Sequence, residues 1–116
     1  MTGWTMKRGD IYFAALDPTR GSEVQKTRPV VIVSNDVANR ASSLVTVVPM
    51  TSNASRVYPF EVVLAAAETG LGKDGKAMAQ QIRTLDKARL GSVRRGVVPA
   101  HKLEALNAAI RLHLAL

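Results

Sequence analysis

Prolines stand at the borders of the short apolar runs in this chain, and this placement constrains the fold more than any other feature. The runs 10–16 and 44–48 end at Pro18 and Pro49, and the runs 30–33 and 60–64 begin after Pro29 and Pro59. Proline cannot donate a hydrogen bond to a sheet ladder, so it is typical of strand ends. Because the runs are short and rich in Val, Ile, Phe and Tyr, they predict β-strands.

The last third of the chain adds one strand and one helix to this pattern. A fifth strand is predicted in 76–85, after the turn-like segment 69–75. Apolar residues then recur at spacings of three and four, at Leu103, Leu106, Ile110 and Leu114. With Pro99 at the position expected for the first helical residue, this spacing predicts one amphipathic helix over about 99–114. The fold class is therefore mainly β, a strongly bent antiparallel sheet or partial barrel with a C-terminal amphipathic helix.

Length and composition restrict the class of protein. The 116 residues predict a single domain, 1–116, and there is no cysteine, which excludes a disulfide scaffold and a cysteine nucleophile. No apolar run approaches the ~18 residues that span a membrane, and the first ten residues carry no signal peptide, so a cytoplasmic protein without a membrane partner is expected. Sixteen Lys and Arg against nine Asp and Glu give a net charge of +7, which favours a nucleic-acid partner.

The sequence lacks the residue patterns of several common catalytic and cofactor-binding sites. The two histidines, His101 and His113, lie twelve apart on the predicted helix, and no carboxylate cluster has metal-ligand spacing. There is no phosphate loop or dinucleotide fingerprint, so no metal or cofactor is expected. One reaction that the residues do not exclude is cleavage of RNA by its own 2′-hydroxyl. That reaction needs only alignment of the hydroxyl with the phosphate and stabilisation of the developing charge, by groups such as an arginine guanidinium and a hydroxyl.

Arg28 and Thr51 are the residues that could supply those groups. Pro29 restricts Arg28 to extended backbone, and the apolar run 30–33 follows directly. We therefore expect the arginine to be held at the surface, where the buried strand begins. Thr51 follows the third strand. The alternative for Arg28 is a gatekeeper that keeps an aggregation-prone strand soluble. The polar loop 17–28 between two strands is long enough to suggest a functional role.

Five segments of the chain, in order, resemble the MazF/PemK family of toxin endoribonucleases from type II toxin–antitoxin pairs. They are KRGDIYFAALDPTRGSE (7–23), TRPVVIVSND (27–36), LVTVVPMTS (44–52), YPFEVVL (58–64) and QIRTLDKARLG (81–91). The resemblance implies an SH3-like partial barrel of the CcdB/MazF type with short helices and a terminal helix. It also implies a homodimer and a cognate acidic antitoxin similar to MazE.

The resemblance also implies the site residues. Arg28 and Thr51 correspond to the family's catalytic pair, and Ser22 and Glu23 fall in its RNA-binding loop. Asn35 and Gln81 are further RNA-binding positions carried over from the family. The chain departs from many relatives at two other positions. Val24 stands where they have glutamine, and Phe13 stands where they often have tryptophan. We expect these two departures to affect which RNA sequence is cut rather than how the phosphodiester bond is cleaved.

The expected function is metal-independent, sequence-selective cleavage of single-stranded RNA, leaving a 2′,3′-cyclic phosphate and a 5′-hydroxyl. Two alternatives remain open at this point. One is a topoisomerase-poisoning toxin like CcdB, which the sequence disfavours because that branch relies on a C-terminal tryptophan and the single tryptophan here is Trp4. The other is an RNA-binding barrel without catalysis.

Overall fold

A computed structural model describes residues 6–116, so the amino-terminal segment and Trp4 lie outside the described residues. The strands are β1 (Asp10–Ala15), β2 (Thr27–Ile32), β3 (Leu44–Thr51), β4 (Glu61–Leu64), β5 (Gly75–Met78), β6 (Arg83–Asp86) and β7 (Gly96–Val97). The helices are α1 (Asp36–Ala41), α2 (Ala66–Thr69) and α3 (Ala100–Leu114), with 3₁₀ turns at Ala79–Gln81 and Lys87–Arg89.

The seven strands form one curled antiparallel sheet, in which six follow the order β4-β5-β3-β2-β1-β7 and β6 pairs with β3 beside this path. Strand β3 pairs with β2 on one side, while on its other side β6 pairs with its first half and β5 with its last two residues. This exchange of partners along β3 bends the sheet into a half-barrel, and α3 packs against β4. The predicted mainly β partial barrel with a terminal helix is confirmed. Within the described chain, no helix has the length and apolar character needed to cross a bilayer.

The centre of the sheet is buried on both faces. Val31 and Val33 pack into one apolar cluster, which also contains Leu106 of α3. Val30 and Ile32 point to the opposite face and pack into a second cluster. Side chains alternate between the faces of a strand, so four consecutive β-branched residues fill both cores at once. Each such buried side chain contributes roughly 1.5–3 kcal/mol of transfer free energy. All four residues of 30–33 are buried, although β2 itself ends at Ile32 and Val33 lies just beyond it.

The two strand boundaries predicted at Pro29 and Pro49 are wrong, because proline is tolerated inside a strand wherever one side has no partner. The other boundaries of the four predicted runs differ from the structure by at most one residue. Strand β2 begins at Thr27 and includes Pro29, because its first residues pair with β1 but not with β3. Strand β3 continues through Pro49 to Thr51. Pro49 lies between the β3 residues that pair with β6 and those that pair with β5.

The predicted strand 76–85 is also wrong, since the 3₁₀ turn Ala79–Gln81 divides it into β5 and β6. The terminal helix is confirmed, but Pro99 is its N-cap with extended backbone rather than its first helical residue. Leu114 is 46% exposed and does not join the core.

An ion pair is buried where β4 meets β5. The Lys76 Nζ donates to Glu61 Oε1 at 2.8 Å and to the Arg56 carbonyl oxygen at 2.5 Å, and Gln80 Nε2 donates to Glu61 Oε2 at 2.6 Å. Burial of the Glu61 carboxyl would raise its pKa, but the hydrogen bonds from Lys76, the Tyr58 amide and Gln80 outweigh it and hold the pKa below its ordinary value. The network fixes the segment that follows β3 to the body of the sheet.

Substitution Glu61→Gln should reduce the free energy of unfolding by about 3 kcal/mol at pH 7, because it leaves the Lys76 ammonium buried without its counter-charge. Since the carboxyl has a lower pKa in the folded state, its stabilisation is present above the ordinary pKa of 4.5 and is lost as pH falls below it. The difference between the variant and the wild type should therefore shrink below about pH 4.5 in urea titrations across pH.

The control is Glu104→Gln, which makes the same change at an exposed position of α3. It should alter the free energy of unfolding by less than about 0.5 kcal/mol at any pH. Equal effects of the two substitutions would contradict the role assigned to the buried pair.

Candidate functional site

A cleft lies along the free side of β2. The residues Thr27, Arg28 and Pro29 pair with β1 only, so their other side is open and forms one wall. The end of β3 and the loop 70–75 form the facing wall. The cleft has a volume of about 490 Å³ and is lined by Phe13, Lys26, Thr27, Arg28, Pro29, Met50, Thr51, Ser52, Gly70, Leu71, Gly72, Lys73, Asp74, Gly75 and Arg95.

Arg28 is half-buried in this wall, and its Nε donates to the Gln25 carbonyl oxygen at 3.2 Å. Its terminal guanidinium nitrogens make no hydrogen bond to any residue from 6 to 116 and remain available to a ligand. The neighbouring Lys26 has a φ of 68°, a left-handed conformation that costs a side-chain-bearing residue roughly 1–2 kcal/mol. That strained turn, closed by the bond from Leu16 N to the Lys26 carbonyl oxygen, sets the direction from which the chain enters β2.

Thr51 is the last residue of β3 and lies opposite Lys76 in the β3–β5 ladder. Its Oγ1 accepts a hydrogen bond from the Asn53 amide at 3.3 Å, so the hydroxyl hydrogen stays free to donate into the cleft. Gly75 permits this placement. A Cβ at Gly75 would lie 2.5 Å from the Thr51 carbonyl oxygen, closer than real Cβ atoms approach a backbone atom. The structure thus brings Arg28 and Thr51, which lie on neighbouring strands, into one cleft.

The cleft is strongly cationic. Four of its lining residues are basic, Lys26, Arg28, Lys73 and Arg95, and one is acidic, Asp74. The Asp74 Oδ1 already accepts a hydrogen bond from the Ala66 amide at 2.7 Å, which ties it to the start of α2. Because the walls combine apolar side chains with these cations, the cleft suits a ligand that carries both phosphates and flat apolar groups.

Gln81 makes two hydrogen bonds to the loop that leads into β2. Its Oε1 accepts from the Val24 amide at 3.3 Å, and its Nε2 donates to the Ser22 carbonyl oxygen at 3.2 Å. Glu23 Oε1 accepts from the Arg20 amide at 2.8 Å. Three residues assigned from the resemblance, Ser22, Glu23 and Gln81, therefore form one local assembly beside the cleft, in which Gln81 positions the loop.

Asn35 lies elsewhere, at the start of α1, where its side-chain oxygen accepts from the Ala38 amide at 2.8 Å as an N-cap. It does not line the cleft. Three basic side chains of residues 83–89 are engaged by the protein itself. Arg83 donates to the Leu16 carbonyl oxygen, Lys87 to that of Asn39, and Arg89 to those of Ala15 and Asp17.

Sequence reasoning missed the facing wall of the cleft. The sequence predicts only a turn-like segment at 69–75 and assigns no role to Arg95, whereas Lys73, Asp74 and Arg95 all line the cleft. The available signal was a lysine and an aspartate inside a glycine-rich loop, but no local pattern shows that this loop faces Arg28. Among residues 6–116, no group of three or more His, Asp or Glu side chains is arranged to hold a metal ion.

A curled antiparallel half-barrel with a cationic cleft at the open side of its central strands defines a class of small nucleic-acid-directed proteins. The chain matches the family of PemK-like, MazF-like toxins of type II toxin–antitoxin systems over residues 7–114. The chain is 49% identical to the endoribonuclease MazF9 of Mycobacterium tuberculosis, over 96% of this chain and 98% of the relative.

Solved structures give the same result for the fold. The crystal structure of MazF from Deinococcus radiodurans superposes with a TM-score of 0.84 at 28% identity, covering 97% of this chain and 99% of that one. An endoribonuclease in complex with its cognate antitoxin, from a mycobacterial species, superposes with a TM-score of 0.78 at 28% identity, covering 96% of each chain. The chain belongs to the PemK/MazF toxin family, which confirms the family resemblance and the expectation of an endoribonuclease toxin.

Substitution Gly75→Ala should destabilise the protein by roughly 1–3 kcal/mol, because the new methyl group must push the Thr51 carbonyl out of the β3–β5 ladder. The matched control is Gly72→Ala in the same loop, where a Cβ would have no atom within 4 Å. That change should be neutral or slightly stabilising. Urea denaturation of both variants checks the result, and equal stability of the two would contradict the close approach assigned to Gly75.

Proposed function

We propose that this chain cleaves single-stranded RNA in the cleft between β2 and the end of β3, using Arg28 and Thr51 and no metal ion. One observation supports the proposal above the others. A half-buried arginine with free guanidinium donors and a threonine with a free hydroxyl hydrogen line the same cationic cleft. That pair matches what internal attack on a phosphodiester requires, which is stabilisation of charge on the phosphoryl oxygens.

The reaction needs no external nucleophile. The 2′-oxygen of one nucleotide forms a bond to the adjacent phosphorus, and the bond from phosphorus to the 5′-oxygen of the next nucleotide breaks. The proton of the 2′-hydroxyl leaves and a proton reaches the 5′-oxygen, so the products are a 2′,3′-cyclic phosphate and a 5′-hydroxyl. No water is consumed: the new bond from phosphorus to the 2′-oxygen replaces the bond from phosphorus to the 5′-oxygen, and the proton lost by the 2′-oxygen is balanced by the proton gained by the 5′-oxygen.

Arg28 stabilises the negative charge that grows on the phosphoryl oxygens. Its planar guanidinium can donate two parallel hydrogen bonds to two of these oxygens, a geometry that an ammonium group cannot reproduce. Thr51 donates its hydroxyl hydrogen to a phosphoryl oxygen from the facing wall. Both groups are held by strand backbone before the substrate arrives, so little reorganisation is needed in the transition state.

The loop beside the cleft provides contacts to the RNA strand. Ser22 and Glu23 are exposed at its tip, and Gln81 holds that tip through the bonds to Ser22 and Val24. In this proposal Gln81 acts on RNA mainly by positioning the loop. Asn35 contacts RNA only if the strand extends past the cleft toward α1, since its side chain caps that helix.

The proposal also includes two protein partners: a second copy of this chain, with which it forms a homodimer, and a cognate acidic antitoxin, which inhibits it. Solved structures of the family include the complex of a mycobacterial endoribonuclease with its cognate antitoxin and a MazE–MazF complex from Deinococcus radiodurans. The net charge of +7 on this chain would steer an acidic segment toward it, and the cationic cleft offers that segment the same donors that RNA would use.

Substitution Arg28→Ala should lower the single-turnover rate of RNA cleavage by on the order of 100- to 1000-fold, because a preorganised donor to the transition state is lost. Arg28→Lys should recover little of that rate, since the charge returns without the fork. Thr51→Val should show a smaller loss. The rates are measured with saturating enzyme and a short single-stranded RNA in the presence of a chelator, and circular dichroism verifies folding.

The control is Arg40→Ala, which removes the same charge from an exposed position of α1 away from the cleft. It should leave the single-turnover rate within about twofold of the wild type. If folded Arg28→Ala cuts within threefold of the wild type, Arg28 is a solubilising residue and the catalytic assignment fails. Retention of RNA without cutting by the wild type would indicate the non-catalytic barrel, and neither binding nor cutting would indicate the topoisomerase poison.

Binding of the cognate antitoxin and of RNA should be mutually exclusive. The association rate of the antitoxin should fall as salt rises, because steering by the +7 charge is screened. Stopped-flow mixing across salt concentrations measures the rate, and competition with a labelled RNA measures exclusion. A ternary complex that binds RNA with undiminished affinity would contradict the shared surface.

A further inference from the structure

Arg95 differs from every other arginine of the basic segment 83–95. Arg83 and Arg89 donate to backbone carbonyl oxygens, and Arg94 Nη1 lies 3.7 Å from the buried Asp10 carboxylate. The Arg95 side chain makes no hydrogen bond or ion pair to the part of the chain that the structure describes. Its backbone is nevertheless fixed, since Arg95 N donates to the Ile11 carbonyl oxygen at 2.8 Å. The other arginines of the segment thus contact backbone oxygens or a carboxylate of the protein, whereas the guanidinium of Arg95 has no hydrogen-bond or ion-pair partner among the described residues.

Phe13 holds this free guanidinium at the cleft. The Arg95 Cζ lies 5.5 Å from the centroid of the Phe13 ring, within the distance of a cation–π contact. Phe13 pairs with Pro29, the residue that follows Arg28, in the β1–β2 ladder. The ring is 36% exposed, which is unusual for an aromatic side chain in the middle of a buried sheet. Phe13 and Arg95 both line the cleft that contains Arg28 and Thr51.

We propose that Arg95 is a substrate-binding residue, which holds a backbone phosphate of the RNA strand next to the phosphate held by Arg28, and that Phe13 positions it. This inference rests on the proposed function. A guanidinium held over a ring by a cation–π contact has less freedom than an unsupported side chain, so it can meet a phosphate at a smaller cost in side-chain ordering. Besides Arg28 and Arg95, the cations of the cleft are Lys26 and Lys73, ammonium groups on flexible stems that have no cation–π contact with the described residues.

The test measures binding apart from cleavage. The probe is a mixed-sequence single-stranded oligodeoxynucleotide, which lacks the attacking 2′-hydroxyl and cannot be cut by internal attack. Fluorescence anisotropy at several salt concentrations gives the affinity and the slope of its logarithm against the logarithm of salt. Arg95→Gln should weaken binding by on the order of tenfold, the loss expected for a charge-assisted hydrogen bond. It should also reduce the slope by about 0.7, the value for one phosphate of a single strand.

Arg94→Gln is the matched control, since it removes the same charge one residue away from a side chain that faces Asp10. It should change the affinity by less than about twofold. Equal losses from Arg94→Gln and Arg95→Gln would show that only net charge matters and would overturn the assignment. An unchanged affinity of Arg95→Gln would overturn it as well.

The positioning role of Phe13 has its own readout, the coupling between the two positions. Phe13→Leu should weaken binding several-fold in the wild-type background and should have no further effect in the Arg95→Gln background. Phe13→Tyr retains a ring and should bind like the wild type. If Phe13→Leu causes its full loss in both backgrounds, the ring acts independently of Arg95 and the positioning role is wrong.

The outcomes separate this inference from the proposed function. Wild-type protein that binds the oligonucleotide through Arg95 but does not cut RNA would overturn the proposed cleavage and retain the binding role. Wild-type protein that cuts RNA while Arg95→Gln binds normally would overturn the role of Arg95 alone. Wild-type protein that neither binds the oligonucleotide nor cuts RNA would overturn both.

Discussion

Three residues of β2, from Thr27 to Pro29, have a strand partner on one side only, and the candidate site depends on this unequal pairing. On one side they pair with β1, and on the other β3 begins to pair only at Val30. The unpaired side would otherwise invite another strand to add to the sheet, but Pro29 lacks the amide hydrogen that such pairing uses. The cleft opens along this side, with Arg28 in its wall. The same proline that interrupts pairing also restricts Arg28 to extended backbone.

The facing wall depends on the partner exchange along β3. The first half of β3 pairs with β6, and its last two residues pair with β5. The end of β3 therefore lies beside β5, and Thr51 lines the cleft there. The close approach of Gly75 and the buried pair of Lys76 with Glu61 hold this end in place. Arg28 and Thr51 are thus fixed by backbone pairing and burial rather than by contacts with each other. This arrangement leaves the terminal guanidinium nitrogens of Arg28 and the hydroxyl hydrogen of Thr51 free for a substrate.

Much of the fold could be predicted from the sequence, because prolines and β-branched runs act locally. The buried run 30–33, the β class and the terminal helix follow from patterns that span a few residues. The errors share a physical cause. Whether Pro29 lies in a strand, or Gln81 in a 3₁₀ turn, depends on which partners the rest of the chain provides at those points. For the site, Arg28 and Thr51 could be named from the strand ends and the family resemblance. Lys73 and Arg95 could not, since their proximity to Arg28 arises only when distant segments meet.

The central claim is that the cleft performs internal cleavage of RNA by the 2′-hydroxyl without a metal ion. The most direct measurement is a digest of a short single-stranded RNA in excess chelator, with the fragment ends determined by mass spectrometry. The account predicts fragments that end in a 2′,3′-cyclic phosphate and begin with a 5′-hydroxyl, at an undiminished rate in the chelator. Fragments with a 3′-hydroxyl and a 5′-phosphate, or cleavage that requires an added divalent cation, would contradict it.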